Sequence, residues 1–190
     1  MPYMKKGNLN WIVLLLIFLL PLSGSGIKSR EGYVASPQSR NTVLPEYILK
    51  EVRHYHYEEG VLRMEASFEA GEYYASSGEL YIENCNFLYY DKNGTLVSRG
   101  SSEKARLYGD RSLINAENNV LIVSEVNGTL LETDYLEWHG EDERFVTESD
   151  VVITRKNGDM LSGRGMIADL ALRFITIKSD VKGSFRGDEP

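Results

Sequence analysis

The sequence predicts an all-β domain behind a hydrophobic N-terminal segment, and three observations carry that expectation. Glycine-centred turns recur at nearly constant spacing, and the residues between them alternate apolar and polar with a period of two. Nothing past residue 45 sustains a helical period.

The N-terminus opens with Lys5 and Lys6, then an apolar run from Trp11 to Leu20, then Pro21, Leu22 and Ser23-Gly24-Ser25-Gly26. No acidic residue precedes Glu31. A basic flank ahead of an apolar core keeps the start of the chain in the cytoplasm and sends the rest outward. Two readings of the segment stand side by side. The short core and the small residues after it suit a cleavable signal peptide. The uncharged stretch Gly7–Ile27 is equally long enough, at about 31 Å of helix, to span a bilayer. The organisation expected is therefore 1–27 as hydrophobic helix, 28–46 as a polar linker with Pro37 and Pro45, and 47–187 as the β-domain.

Within that domain four turns set the rhythm: Glu59-Gly60, Asn93-Gly94, Asn127-Gly128 and Asn157-Gly158, with glycines 34, 34 and 30 residues apart. Asn-Gly marks a hairpin because both residues tolerate the positive φ of a type I′ turn. A second marker, Asn119-Val120, Asp150-Val151 and Asp180-Val181, recurs 23 to 26 residues after the later glycines. Fixed-period self-similarity predicts a stacked, solenoid-like arrangement with two to four strands per repeat, roughly a dozen or more in all.

The strands follow from the alternation. From Leu62 to Ala70 every even residue is apolar, and Met166, Ala168, Leu170, Leu172 and Phe174 alternate likewise, as half-buried antiparallel strands do. Val120–Val123 and Val151–Ile153 are apolar on both faces. Between Leu131/Thr133/Tyr135 and Leu136/Trp138 the phase slips by one, as at a β-bulge.

Composition narrows the function. A hydrophobic share of 42% and a charged share of 26% are those of a globular chain, and a net charge of −7 opposes nucleic-acid binding. The single cysteine, Cys85, excludes an internal disulfide and reads as a small buried hydrophobe. His54 and His56 share one strand face, but His139 is remote and no ligand set completes a metal site. No nucleophile elbow, P-loop or dinucleotide fingerprint occurs, so neither an enzyme nor a cofactor is expected. Asn93-Gly94-Thr95 and Asn127-Gly128-Thr129 fit the glycosylation pattern, yet turn chemistry already accounts for both asparagines. Arg155, Lys156, Arg164 and the group Lys104, Arg106 and Arg111 read as loop or edge charges, with an anionic head group as the alternative.

An ordered set of short pieces carries a resemblance. They are Gly60-Val61-Leu62, Gly71-Glu72-Tyr73-Tyr74, Tyr90-Asp91-Lys92-Asn93-Gly94, Glu103-Lys104-Ala105, Asn119-Val120, Leu131-Glu132-Thr133 leading to Leu136 and Trp138, and Gly163-x-Gly165 with Ala168-Asp169. Over residues 50–185 and the leader, the chain resembles the LptC family of the OstA-like β-jelly-roll group. The resemblance implies a twisted, folded antiparallel β-jelly roll shaped like a taco, with an apolar inner groove. It implies an inner-membrane, single-pass protein with a retained anchor and its C-terminal domain in the periplasm. Lipopolysaccharide would slide through the groove from an ABC permease of LptB, LptF and LptG type to a soluble LptA-type carrier. Partners would join by strand addition at the sheet edges, the C-terminal one being Arg173, Phe174, Ile175, Thr176, Ile177 and Lys178.

By strand phase, the residues facing such a groove are Leu62, Met64, Ala66 and Phe68, then Val120 and Ile122, then Val151 and Ile153, then Met166, Ala168 and Leu170. A closed core would give the same pattern. Two other readings remain: an anchored scaffold that docks partners through its edges without carrying lipid, and a soluble LptA-like carrier if the leader is cleaved.

Overall fold

Nine strands run in chain order through one antiparallel sheet: β1 (Tyr47–Glu58), β2 (Val61–Tyr74), β3 (Glu79–Tyr90), β4 (Leu96–Tyr108), β5 (Leu113–Ser124), β6 (Leu130–His139), β7 (Arg144–Thr154), β8 (Met160–Asp169) and β9 (Ile175–Ser184). The structure is a computed structural model and describes residues 44–109 and 112–186. The hydrophobic segment 1–27, the linker up to residue 43 and Arg111 lie outside those residues, as does residue 187 at the expected domain end. Every strand pairs with its sequence neighbours, and the sheet does not close: β1 and β9 are edges.

The expected dozen or more strands are corrected to nine among the described residues. Strands here run 10–14 residues, about twice the usual length, so each glycine-marked repeat is one up-and-down pair. The repeat is therefore a hairpin period within a single meander rather than a stacked solenoid unit. All four glycine turns consequently fall at the same end of the sheet.

Turn chemistry also differs from expectation at three of the four sites. Only Glu59-Gly60 has both residues at positive φ, 51° and 82°, as a type I′ turn requires. At the Asn-Gly sites the glycine alone is left-handed, because the loops exceed two residues. Gly94 and Gly158 donate N–H to the carbonyls of Asp91 and Arg155 at 3.0 and 2.8 Å. The asparagines act through side chains instead: Asn127 Oδ1 accepts from Thr129 N at 2.9 Å, and Asn157 Oδ1 from Asp159 N at 3.1 Å.

What folds the sheet is a line of irregularities crossing the middle of the strands. Glu51, Asn84, Asn118, Asn119 and Asp180 have positive φ, and so does Gly165. The ladders skip a pair at Glu51/Glu69, Glu69/Asn84 and Asn84/Glu103, then shift register between Ser101 and Lys104, Glu117 and Val120, Thr133 and Glu137, Thr147 and Asp150, and Ser162 and Arg164. Each break bends its strand, so that the two halves of every strand lie in opposite layers. The bend also resets the side-chain phase. In β3, Leu80 and Ile82 are buried before Asn84, and the half-buried Cys85 and Phe87 follow it. The β-bulge expected near Tyr135 is one member of this line. Asn119 and Asp180 from the second sequence marker sit on it as well.

Two apolar clusters lie between the layers. One, from β5 to the turn after β8, is tightly packed: Leu131, Met166, Val151, Ile153 and Val120 are at most 1% exposed. The other, Phe68, Leu80, Ile82 and Ala105, lies under β2–β4 and is bordered by half-buried residues of β1, β3, β4 and β5.

Candidate functional site

Between these clusters lies an apolar cavity of about 180 Å³. It extends from Leu49, Val52 and His54 on edge strand β1 to Leu136, Trp138, Phe145 and Leu170 at its far end. Both layers contribute walls: Met64, Ala66 and Phe87 precede or follow the bend on one side, and Leu107, Ile114 and Ala116 face them from the other. Gly100 makes close approach possible here, because a Cβ at that position would overlap the Phe87 ring and the Ile122 side chain. The Phe87 and Phe145 rings, from opposite layers, stand 6.5 Å apart.

Electrostatically the site is close to neutral. Burial lowers the pKa of His54, and burial followed by the charge of His54 lowers that of His56, so both favour the neutral imidazole. Burial pushes the Cys85 thiol up to about 11, which removes it as a nucleophile at neutral pH. Burial likewise raises Tyr89. One buried cation, Arg63, is fully engaged: it donates to Glu58 Oε2 at 2.9 Å, to the Tyr89 hydroxyl at 2.9 Å and to the Tyr90 carbonyl at 3.1 Å. It therefore fixes the Tyr89 wall rather than presenting a charge to the cavity. Among the described residues no group of His, Cys, Asp or Glu is arranged to hold a metal. Such a site can hold hydrocarbon, whose transfer from water is favourable by about 0.8 kcal/mol per CH₂.

Of the eleven residues picked from strand phase, six line the cavity: Met64, Ala66, Phe68, Val120, Ile122 and Leu170. Leu62 is half-buried at the start of β2, outside the lining. Val151, Ile153, Met166 and Ala168 face inward but belong to the packed cluster, at most 2% exposed. Phase distinguishes inside from outside and is blind to whether the inside is filled. Walls the sequence reading passed over include Leu80, Ile82, Cys85, Phe87, Leu107 and Ile114. The signal for those on β3 was present, as the one-residue phase slip across Asn84.

The C-terminal edge is also redrawn. Met166–Phe174 is not one strand: β8 ends at Asp169, and Leu170, Ala171 and Leu172 form a buried turn. Asp169 Oδ1 stops the strand by accepting from the backbone N–H of Arg173 and Phe174 at 2.7 and 2.8 Å. Arg173 and Phe174 thus sit in the turn, while Ile175, Thr176, Ile177 and Lys178 lie on β9, where the first three pair with β8 and Lys178 falls at a skipped pair opposite Gly165. Lys178 Nζ is ion-paired with Glu148. No helix among the described residues is long and apolar enough to cross a membrane.

Comparison with known proteins gives the site a context. No curated protein matches the chain. A similar solved structure is LptH of Pseudomonas aeruginosa, the LptA-homologous periplasmic component of the lipopolysaccharide transport device. It is 8% identical, with a TM-score of 0.49, over 65% of this chain and 95% of that one. The family model described as "Lipopolysaccharide-assembly, LptC-related" matches residues 12–186, nearly the whole sequence from the apolar leader to the last strand. With its all-β sheet folded about an apolar cavity, the chain belongs to the LptC-related family of lipopolysaccharide-assembly proteins.

Proposed function

We propose that the chain holds acyl chains of lipopolysaccharide between its two layers and relays the lipid toward the outer membrane. Family membership supports a role in lipopolysaccharide transport. The observation that carries the relay is the cavity itself: hydrocarbon walls from both layers, with its one ionisable imidazole, His54, held toward neutrality. Segment 1–27 fastens the domain to the inner membrane, with the β-domain in the periplasm. A permease of LptB, LptF and LptG type supplies lipid at the β1 edge, and an LptA-type carrier receives it at the β9 edge. The positions of β1 and β9 at the two edges of the sheet, among the described residues, support docking by strand addition.

A volume of about 180 Å³ is on the scale of a cavity that admits a benzene-sized guest. It takes the end of one acyl chain, so loading a multi-acyl lipid widens the groove about the line of bends. Photo-crosslinking tests the relay. A photoreactive residue at Phe87 or Ile122, in the full chain with its permease, is expected to give lipopolysaccharide adducts that require ATP. Absence of adducts from Met64, Phe87 and Ile122 alike, in a protein that still supports export, overturns it.

The packed C-terminal cluster favours a second reading, a scaffold that docks partners through its edges and carries no lipid. Under that reading a charge at Ile122 only unfolds the domain. Proline within Ile175–Lys178 then breaks partner capture while leaving the fold intact.

A further inference from the structure

We infer that the turn joining β8 to β9 is a latched gate at the blind end of the groove. This rests on the lipid-relay reading and adds a step to it. Leu170 forms part of the cavity's far wall, and Leu172 and Ala171 behind it are 2% and 5% exposed. In this conformation the groove therefore ends at the turn, short of Ile175 and Ile177, the apolar residues of edge strand β9 that pack against the same cluster. A lipid moving from the cavity to that edge has to displace the turn and loosen the cluster packed beneath it.

Besides the packing of Leu170 and Leu172 in the core cluster, the turn is held by side-chain hydrogen bonds. Its tip hooks onto the opposite layer by two side-chain latches from the end of β5 and the turn that follows. Ser124 Oγ donates to the Ala171 carbonyl at 2.6 Å, and Asn127 Nδ2 donates to the Leu172 carbonyl at 3.2 Å. Leu172 sits at φ 50°, a left-handed conformation that a branched side chain adopts at a cost. Within itself the turn is self-sufficient. Leu172 N–H donates to the Asp169 carbonyl at 3.0 Å, Asp169 N–H donates to the Phe174 carbonyl at 3.2 Å, and the Asp169 carboxylate holds Arg173 and Phe174. A loop that keeps its own hydrogen bonds can swing as a unit about Asp169 and Ile175, losing only the two latches and its packing.

A reversible lock tests the gate. In the full chain carrying Cys85→Ser, Ser124→Cys and Ala171→Cys, reconstituted with permease and carrier, two steps are read separately. Adducts from Phe87 report entry of lipopolysaccharide, and lipid recovered on the carrier reports exit. Oxidation is expected to leave entry within twofold and to cut exit at least tenfold, with full recovery on reduction. Unchanged exit from the oxidised protein overturns the gate, and so does loss of entry on oxidation alone. Absence of entry in both redox states overturns the lipid-relay reading instead. The unlatched pair Ser124→Ala and Asn127→Ala, which needs no disulfide, is expected to speed exit severalfold. Slower or unchanged exit from a folded unlatched protein counts against the gate.

Discussion

Asn84 Nδ2 donates to Glu69 Oε2 at 2.7 Å, at the level where β2 and β3 both leave their shared ladder. The contact is repeated two strands on, where Asn119 Nδ2 donates to Glu103 Oε1 at 2.5 Å. These polar side chains lie on the outside of the bend, where the strand backbone opens to water. In β3 and β5 the bend is thus written as exposed asparagines that tolerate a left-handed backbone and bond to a neighbouring glutamate, with no glycine needed; in β1 Glu51 takes that conformation.

Asn84 gives the first prediction. Its φ of 52° is tolerable for asparagine, easier for glycine and costly for a β-branched residue. Asn84→Gly is expected to change unfolding free energy by less than about 1 kcal/mol, and Asn84→Val to lower it by about 1–3 kcal/mol. Urea titrations decide it, and equal effects of the two substitutions would remove the bend argument.

The two halves of the interior answer differently to truncation. Ile153 is 1% exposed in the packed cluster, so Ile153→Ala leaves a closed void and is expected to cost about 2–5 kcal/mol. Met64 borders space that already exists, and Met64→Ala is expected to cost less than half as much. Lipid adducts should follow the opposite order, reduced by Ala66→Phe, which fills the cavity, and little affected by Ile153→Val. Denaturation and crosslinking on the same variants give both readings.

Acid should loosen the groove before it titrates the carboxylates. Burial holds His54 and His56 below the ordinary histidine value of 6.5, so the folded state binds fewer protons than the unfolded one. Their contribution is complete above that value and is lost as pH falls from about 6.5 toward the lower folded values. The lowered carboxylates Glu79, Asp91 and Glu137 act in the same direction only further down, below their ordinary values of about 4. Between pH 7.5 and 5.5 the Tm should fall, and His54→Gln with His56→Gln should flatten that fall. An unchanged slope in the double variant would mean these histidines do not govern it.

How much of this was legible in sequence follows from what each signal reports. The alternation Leu62–Ala70 located β2 and its inward residues Met64, Ala66 and Phe68, because period two reports which face is dry. The glycine turns located one end of every hairpin. The bends were mostly missed because a bulge moves the pattern by a single residue. That slip is visible between Thr133 and Leu136, yet easily read elsewhere as an ordinary polar interruption. The plug at Leu170–Leu172 was hidden for a different reason. A buried turn continues the apolar alternation of β8, and only the capping carboxylate of Asp169 marks the stop. Whether an inward residue such as Val151 packs or lines space depends on the other layer, which local pattern does not contain.

Cys85 offers a reporter of occupancy. It is the chain's one cysteine and lines the cavity on β3, just after the bend at Asn84. With the thiol pushed up to about 11 by burial, only on the order of one molecule in a few thousand carries a thiolate at pH 7.5. Maleimide should therefore label the folded protein slowly, with a rate that climbs about tenfold per pH unit up to pH 9. Acyl chains in the cavity remove both water and reagent from the sulfur, so lipid loading is expected to slow labelling at least fivefold further. A ligand confined to the edge strands would leave the rate unchanged. Labelling measured with and without lipopolysaccharide, against the unfolded protein as the fast limit, separates occupation of the groove from docking at its rim.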